Sequence, residues 1–178
     1  KSADAAYYNP ANMVYMSDEN HLEADLMYIG LDPIDYKGTV SGTGPHNLHS
    51  ERETFFIPSL NYVSGKKGNT RFGLSIVAPG GLSKRWKTEP AKTSAEEFTL
   101  QIVEINPSVA IPVNDKVSVA FGLRVLHTSG VVKSSGTAVV IAPATTSVLT
   151  RDMTGDGINY GYNLAIAYKP TKDLELAA

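Results

Sequence analysis

The chain has 178 residues, 42% of them hydrophobic and 19% charged, with a formal net charge of -2. That balance excludes a disordered segment and gives no basic footprint for nucleic acid. No apolar run reaches the roughly 18 residues of a membrane-spanning helix, and the longest, 138–144, is interrupted by Pro143, so any membrane crossing must use strands. Cysteine is absent, which removes disulfides, thiolate metal sites and thiol nucleophiles.

In chain order, Lys1-Ser2-Ala3-Asp4 shows no apolar signal core; the expectation is a cytoplasmic chain or one whose leader has been removed. From His21 to Leu31 the residues Leu22, Ala24, Leu26 and Tyr28 alternate with Glu23 and Asp25, a two-residue period that predicts a strand. Weaker alternation predicts strands over 56–63, 72–78 and 98–111, the last with a phase change near Glu104 that a bulge can accommodate. Two strong patterns follow. Val117, Val119, Phe121, Leu123 and Val125 oppose Ser118, Ala120, Gly122 and Arg124, and between 158 and 168 isoleucine, leucine and tyrosine oppose asparagine, glycine and alanine. A seventh strand starts at Leu174.

The connections alternate in length. Tight turns are predicted at 65–69, 113–115 and 170–173, and long loops at 38–53, 83–96 and 130–156. Outer-membrane barrels have this rhythm, with short periplasmic turns and long extracellular loops, and tyrosines such as Tyr28, Tyr62 and Tyr160 toward strand ends suit the membrane boundary. A soluble sandwich also alternates, so periodicity leaves both architectures open. Six or seven strands are too few to close a transmembrane barrel, which points to a fragment.

Four segments carry a resemblance. Asn9-Pro10-Ala11 before the first strand is similar to the signature triplet of a plug segment. Arg71 to Leu82, with Ala78-Pro79-Gly80-Gly81-Leu82, is similar to a kinked third strand. Glu104 to Ala110 with Val113 to Val119 resembles a strand, tight turn and strand, and Gly155 to Asn163 resembles the Gly/Tyr/Asn-rich opening of a sixth strand. In this order they resemble the outer-membrane transporters of long-chain fatty acids and other hydrophobic compounds, the FadL/TodX type. The resemblance implies an all-β fold, an antiparallel transmembrane β-barrel, fourteen-stranded in the family, of which this chain holds six to seven strands. Residues 1–20 would be part of the N-terminal hatch and 21–178 the first barrel strands. It implies a monomeric barrel in the bacterial outer membrane, surrounded by outer-membrane lipid, that passes long-chain fatty acids or other hydrophobic small molecules by passive diffusion. The alternative on the residues alone is a soluble or surface β-rich binding or adhesion module.

Pro79-Gly80-Gly81 removes a ladder donor and weakens pairing, so a kink is expected there. In the family such a kink forms a side opening, with the hatch and its Asn9-Pro10-Ala11 triplet packed against it. Resemblance makes 130–156 an extracellular loop that helps capture substrate, with Val139, Val140, Ile141 and Leu149 as apolar contacts. Arg124 falls on the polar face of its strand, where it can meet a ligand carboxylate or a hatch acid such as Asp4; Lys133 is expected to be solvated.

Asp152-Met153-Thr154-Gly155-Asp156-Gly157 has part of a calcium-loop pattern, but Thr154 and Asn163 stand where acids are needed, and a polar loop end is expected. The histidines at 21, 46, 49 and 127 lack metal-site spacing. No metal, cofactor or catalytic residue is assigned, and Ser129 near His127 is adjacency only.

Overall fold

The computed structural model describes residues 2–40, 44–141, 144–171 and 174–178, with the side chains of 40, 137–141 and 144–147 outside the description. A short helix α1 (Ala5–Tyr8) and a 3₁₀ helix (Pro10–Tyr15) precede strand β1 (His21–Leu31). Then come β2 (Asp35–Val40), β3 (Gly44–His49), β4 (Glu53–Val63), β5 (Arg71–Arg85), helix α2 (Ala91–Ala95), β6 (Glu97–Pro112), β7 (Val117–Ile141), β8 (Ala144–Tyr168) and β9 (Leu176–Ala177). Among the described residues seven strands form one antiparallel sheet in the order β1-β4-β5-β6-β7-β8-β9, and β2 and β3 form a second, two-stranded sheet. The sheet is an open half-barrel.

Its burial pattern decides between the two architectures that alternation left open. On β5 to β8 the small or polar face is covered: Ser75 of β5, Asn106 and Ser108 of β6, Ser118 of β7 and Ala167 of β8 are buried. The apolar face is bare, with Tyr160 79%, Leu164 72% and Leu123 52% exposed. A soluble sandwich hides its apolar face; a wall with lipid outside and polar contents inside does the reverse.

The N-terminal segment covers the inner face. Ala6, Ala11, Met13 and Met16 pack with Val63, Ala110, Ala120 and Ala167, so a buried apolar cluster lies between segment and wall. Small wall residues permit this approach. A Cβ on Gly73 would stand 2.6 Å from Met13 Sδ and 2.9 Å from the Ala6 Cβ, which only glycine avoids.

The tight turns at 65–69 and 113–115 fall where expected, and that at 170–173 lies partly outside the described residues. Lys67 pairs with Thr70 across a turn whose Gly68 has φ +63°, and Asn114 Oδ1 accepts from the Lys116 and Val117 amides. Three expectations need correction. The segment 130–156 is not a loop: β7 and β8 stay paired from Val117↔Tyr168 to Ile141↔Ala144, forming a long hairpin of β-branched and small residues. Asp152 to Gly157 therefore lies within β8 rather than at a loop end. The expected loop at 38–53 contains the β2–β3 hairpin, and that at 83–96 is shortened by β5 and β6 and holds α2.

The third correction concerns the bulge. The β6–β7 register is unbroken past Glu104. The irregularity is on β5, where Ala78 and Pro79 together oppose Val103 between the pairs Val77↔Glu104 and Gly80↔Ile102. β5 does not end at Pro79; it absorbs one extra residue and continues to Arg85. Such a bulge exchanges the faces of the strand beyond it.

Candidate functional site: a window in the wall and the cavity behind it

β4 and β5 pair over only Leu60↔Ile76 to Val63↔Gly73. From there β5 turns away through its bulge, and residues 54–59 of β4 and 77–82 of β5 have no partner in each other. At about 3.3 Å per residue the unpaired stretch is roughly 20 Å long. The strands meet again above it: the Glu51 amide donates to the Arg85 carbonyl at 2.8 Å, Ser83 Oγ donates to Glu53 Oε2 at 2.5 Å, and Arg85 bridges Glu53 at 2.5 Å and Glu97 at 2.8 Å. The gap is thus a window, closed below by a short ladder and above by a charged clamp.

Behind the window lies a cavity of about 1140 Å³. One side is the β1–β4 pair, whose inward alternation brings Met27 opposite Ile57 and Ile29 opposite Phe55. Across from it stand Pro79 to Leu82 of β5 and Leu100 and Ile102 of β6, and Asp4, Tyr7 and Tyr8 come from the N-terminal segment. The lower end is polar, with Glu23 opposite Asn61 and Asp25 opposite Ser59. The space is largely apolar along its middle, with polar groups at its lower end and Ser83, Thr99 and Gln101 toward the upper one, a mixture that suits a small-molecule site.

Of the sequence-predicted residues, Pro79, Gly80 and Gly81 line this cavity. Asn9, Pro10 and Ala11 are placed elsewhere. Asn9 Oδ1 accepts from the Ala11 amide at 3.1 Å, its Nδ2 donates to the carbonyls of Ile166 (3.3 Å) and Ala178 (3.2 Å), and Ser118 Oγ donates to the Ala11 carbonyl at 2.8 Å. The triplet caps the 3₁₀ helix and ties it to β7 and β8. It is Asp4, Tyr7 and Tyr8 that face the bulged stretch of β5.

Arg124 projects inward as its alternation requires, but the acid it meets is Glu104 rather than Asp4. Nε and one terminal nitrogen each donate to a Glu104 oxygen at 2.6 Å, a bidentate pair in which Glu104 is fully buried. Tyr7 lies close to the pair; burial, with the Glu104 charge adding, raises its phenol above the usual range. Lys133 is 3.5 Å from Asp152 across the β7–β8 hairpin. Leu149, opposite Gly136, is 62% exposed and does not line the cavity. The side chains of Val139, Val140 and Ile141 lie outside the described residues.

Sequence reading missed the buried Arg71. It donates to the carbonyls of Ser64 (2.9 Å), Met16 (2.7 Å) and Ser17, and lies 3.5 Å from Asp18, which also pairs with Lys66 at 2.8 Å. This one guanidinium fixes the end of the segment to the β4–β5 turn. Among the described residues no group of three or more His, Cys, Asp or Glu could hold a metal, and no helix is long and apolar enough to cross a membrane, which says nothing of strands.

A half-barrel with an apolar exterior, a polar interior filled by its own N-terminus, and short turns at one end with long hairpins at the other is the wall of an outer-membrane β-barrel. The chain belongs to the family of outer membrane protein transport proteins (OMPP1/FadL/TodX), whose model matches residues 1–178, and its place is the bacterial outer membrane. Similar solved structures include a Pseudomonas aeruginosa FadL homologue, with TM-score 0.73 and 22% identity over 98% of this chain and 46% of that one. The Ralstonia pickettii toluene transporter TbuX has TM-score 0.71 and 18% identity over 99% of this chain and 51% of its own. A TodX deltaS2S3 mutant, described as a monoaromatic hydrocarbon channel, has TM-score 0.69 and 17% identity over 97% and 49%. At these identities the likeness is one of fold, and the chain spans about half the length of those structures. No curated protein sequence matches it.

Proposed function

We propose that the complete barrel containing these strands carries apolar small molecules, long-chain fatty acids or aromatic hydrocarbons among them, passively across the outer membrane and releases them sideways through the β4–β5 window. The observation that carries the reading is the window itself, opening onto a cavity lined by Met27, Ile29, Phe55, Ile57 and Leu82. Each methylene kept out of water is worth about 0.8 kcal/mol, so a route from an apolar cavity into the bilayer spares a greasy molecule a steep climb through an aqueous exit. The N-terminal segment acts as the hatch: it fills the lumen and closes the straight path toward the tight-turn end. The family and the two neighbours described as a toluene transporter and a hydrocarbon channel agree with transport of hydrophobic compounds. Arg124 is neutralised by Glu104, so its part in this scheme is to seat Tyr7 of the hatch.

The test is uptake of radiolabelled fatty acid and of toluene by cells that lack such transporters, with and without the complete barrel. Intact lipopolysaccharide in these cells blocks spontaneous entry. Saturable, barrel-dependent entry of either compound supports the proposal, and uptake no faster than in the empty host contradicts it.

A further inference from the structure

Several cations stand at the upper end of the cavity, and most already have an acid. Arg85 is bridged to Glu53 and Glu97, Lys87 is 3.0 Å from Glu51, and Arg52 is 2.8 Å from Asp32. Lys84 differs. Its Nζ donates to the Asp32 carbonyl at 3.1 Å and reaches the Glu51 carbonyl at 3.5 Å; among the described residues both partners are carbonyls, which do not cancel its charge. An ammonium has three donors, so one stays available. The strands fix where it points. Beyond the bulge β5 pairs Gly80 with Ile102, Leu82 with Leu100 and Lys84 with Phe98, and cross-strand partners share a face. Phe98, Leu100 and Ile102 stand at even spacing from the buried, inward Glu104, so Leu82 and Lys84 face inward as well. Asp32 follows the cavity-lining Leu31 of β1, and Glu51 leads into β4, which puts Nζ at the rim where the β1–β4 wall meets β5.

The lower end carries the opposite sign, from Glu23 and Asp25 of β1. Neutral polar groups accompany both ends, Ser59 and Asn61 below and Thr99 and Gln101 above, so charge is what tells the ends apart. From Asp25 to Leu31 the strand rises about 20 Å, room for the extended tail of hexadecanoate. Resting on the reading of this cavity as the passage, we propose that Lys84 receives the carboxylate of a fatty acid at the upper rim. The acid then lies head up, with its tail running down past Leu82, Leu100, Ile29 and Ile57 beside the window. A charge-assisted hydrogen bond holds the head, and the acids below repel it, so both ends of the cavity impose the same orientation. The tail therefore meets the window before the head does. Aromatic hydrocarbons have no such head and are held by the apolar wall alone.

The test uses the complete barrel in lipid nanodiscs, in alkaline buffer where hexadecanoic acid carries its charge. Hexadecanoate with a diazirine either beside its carboxylate or at its far end is photolysed, and the labelled peptides are mapped. The head-end probe should label 82–86 and 96–100, and the far-end probe 23–27 and 57–61. Hexadecanol with the same far-end diazirine then serves as the uncharged reference. In Lys84→Met the ratio of acid to alcohol labelling should fall roughly tenfold, and Lys84→Arg should restore most of it. Two hexadecanoate probes with the same or the reversed pattern in the unaltered barrel, or an unchanged ratio in Lys84→Met, overturn the inference and leave the passage standing. Absence of cavity labelling by acid and alcohol alike in the unaltered barrel overturns the passage reading and the inference together.

Discussion

Glu104 and Arg124 show how a single pair organises the interior. Glu104 is fully buried, and what keeps a carboxylate there is the two-pronged contact from Arg124. Removing only the cation leaves an uncompensated buried charge, whereas removing both partners leaves a merely apolar patch. Arg124→Met should therefore destabilise the complete barrel by about 2–3 kcal/mol in urea titrations, less than for a fully buried pair because the guanidinium is partly exposed, and adding Glu104→Leu should restore part of the loss. At the other end of the hatch, the hydrogen bond from Lys66, reinforced by the charges of Lys66 and Arg71, holds the Asp18 carboxyl below the usual carboxylate range. Its folded value being depressed, the contribution is complete above the ordinary aspartate range and disappears as pH falls through the folded value. The protection of residues 16–20 from hydrogen exchange, taken relative to the intrinsic rate at each pH, should stay constant from neutral pH down to that range and fall below it, and Asp18→Asn should remove the dependence.

At the scale of elements, the hatch and β5 are fitted to each other. Gly73 faces Met13 and Ala6 at distances that admit no Cβ, so Gly73→Val must push the 3₁₀ helix off the wall. The expected outcome is a loss of about 1–3 kcal/mol, concentrated in the hatch and visible as protease cleavage between 8 and 16 while the strands stay protected. Much of this level was legible in the sequence. Alternation located β1, β7 and β8 because lipid on one side and polar contents on the other enforce a two-residue period, and the Pro79-Gly80-Gly81 run marked the irregular place in β5. The upper halves of β7 and β8 were not legible. Past Lys133, Ser, Thr, Gly and Val occupy both faces, because beyond the membrane neither face is required to be apolar. Nor could sequence separate a strand end at Pro79 from a bulge, since that depends on Val103 of another strand. The partners of Asn9 and Arg71 lie 157 and 54 residues away, which no local pattern encodes.

For the molecule as a whole, the central feature is a wall left unpaired for about six residues and clamped at both ends. Backbone groups along an open edge in lipid are costly, so such a gap persists only where side chains, or a molecule passing through, stand in for the missing strand contacts. Pro79 and the two glycines maintain it by withholding a donor and side-chain contacts from the stretch that leaves β4. The most direct measurement is uptake of labelled fatty acid or toluene by cells expressing the complete barrel with Pro79-Gly80-Gly81 replaced by Val-Thr-Val. Folding of the variant is checked by its resistance to unheated detergent. Release through the window predicts at least a tenfold fall in uptake by a correctly folded barrel. Uptake equal to that of the unaltered protein would contradict it and place the exit elsewhere.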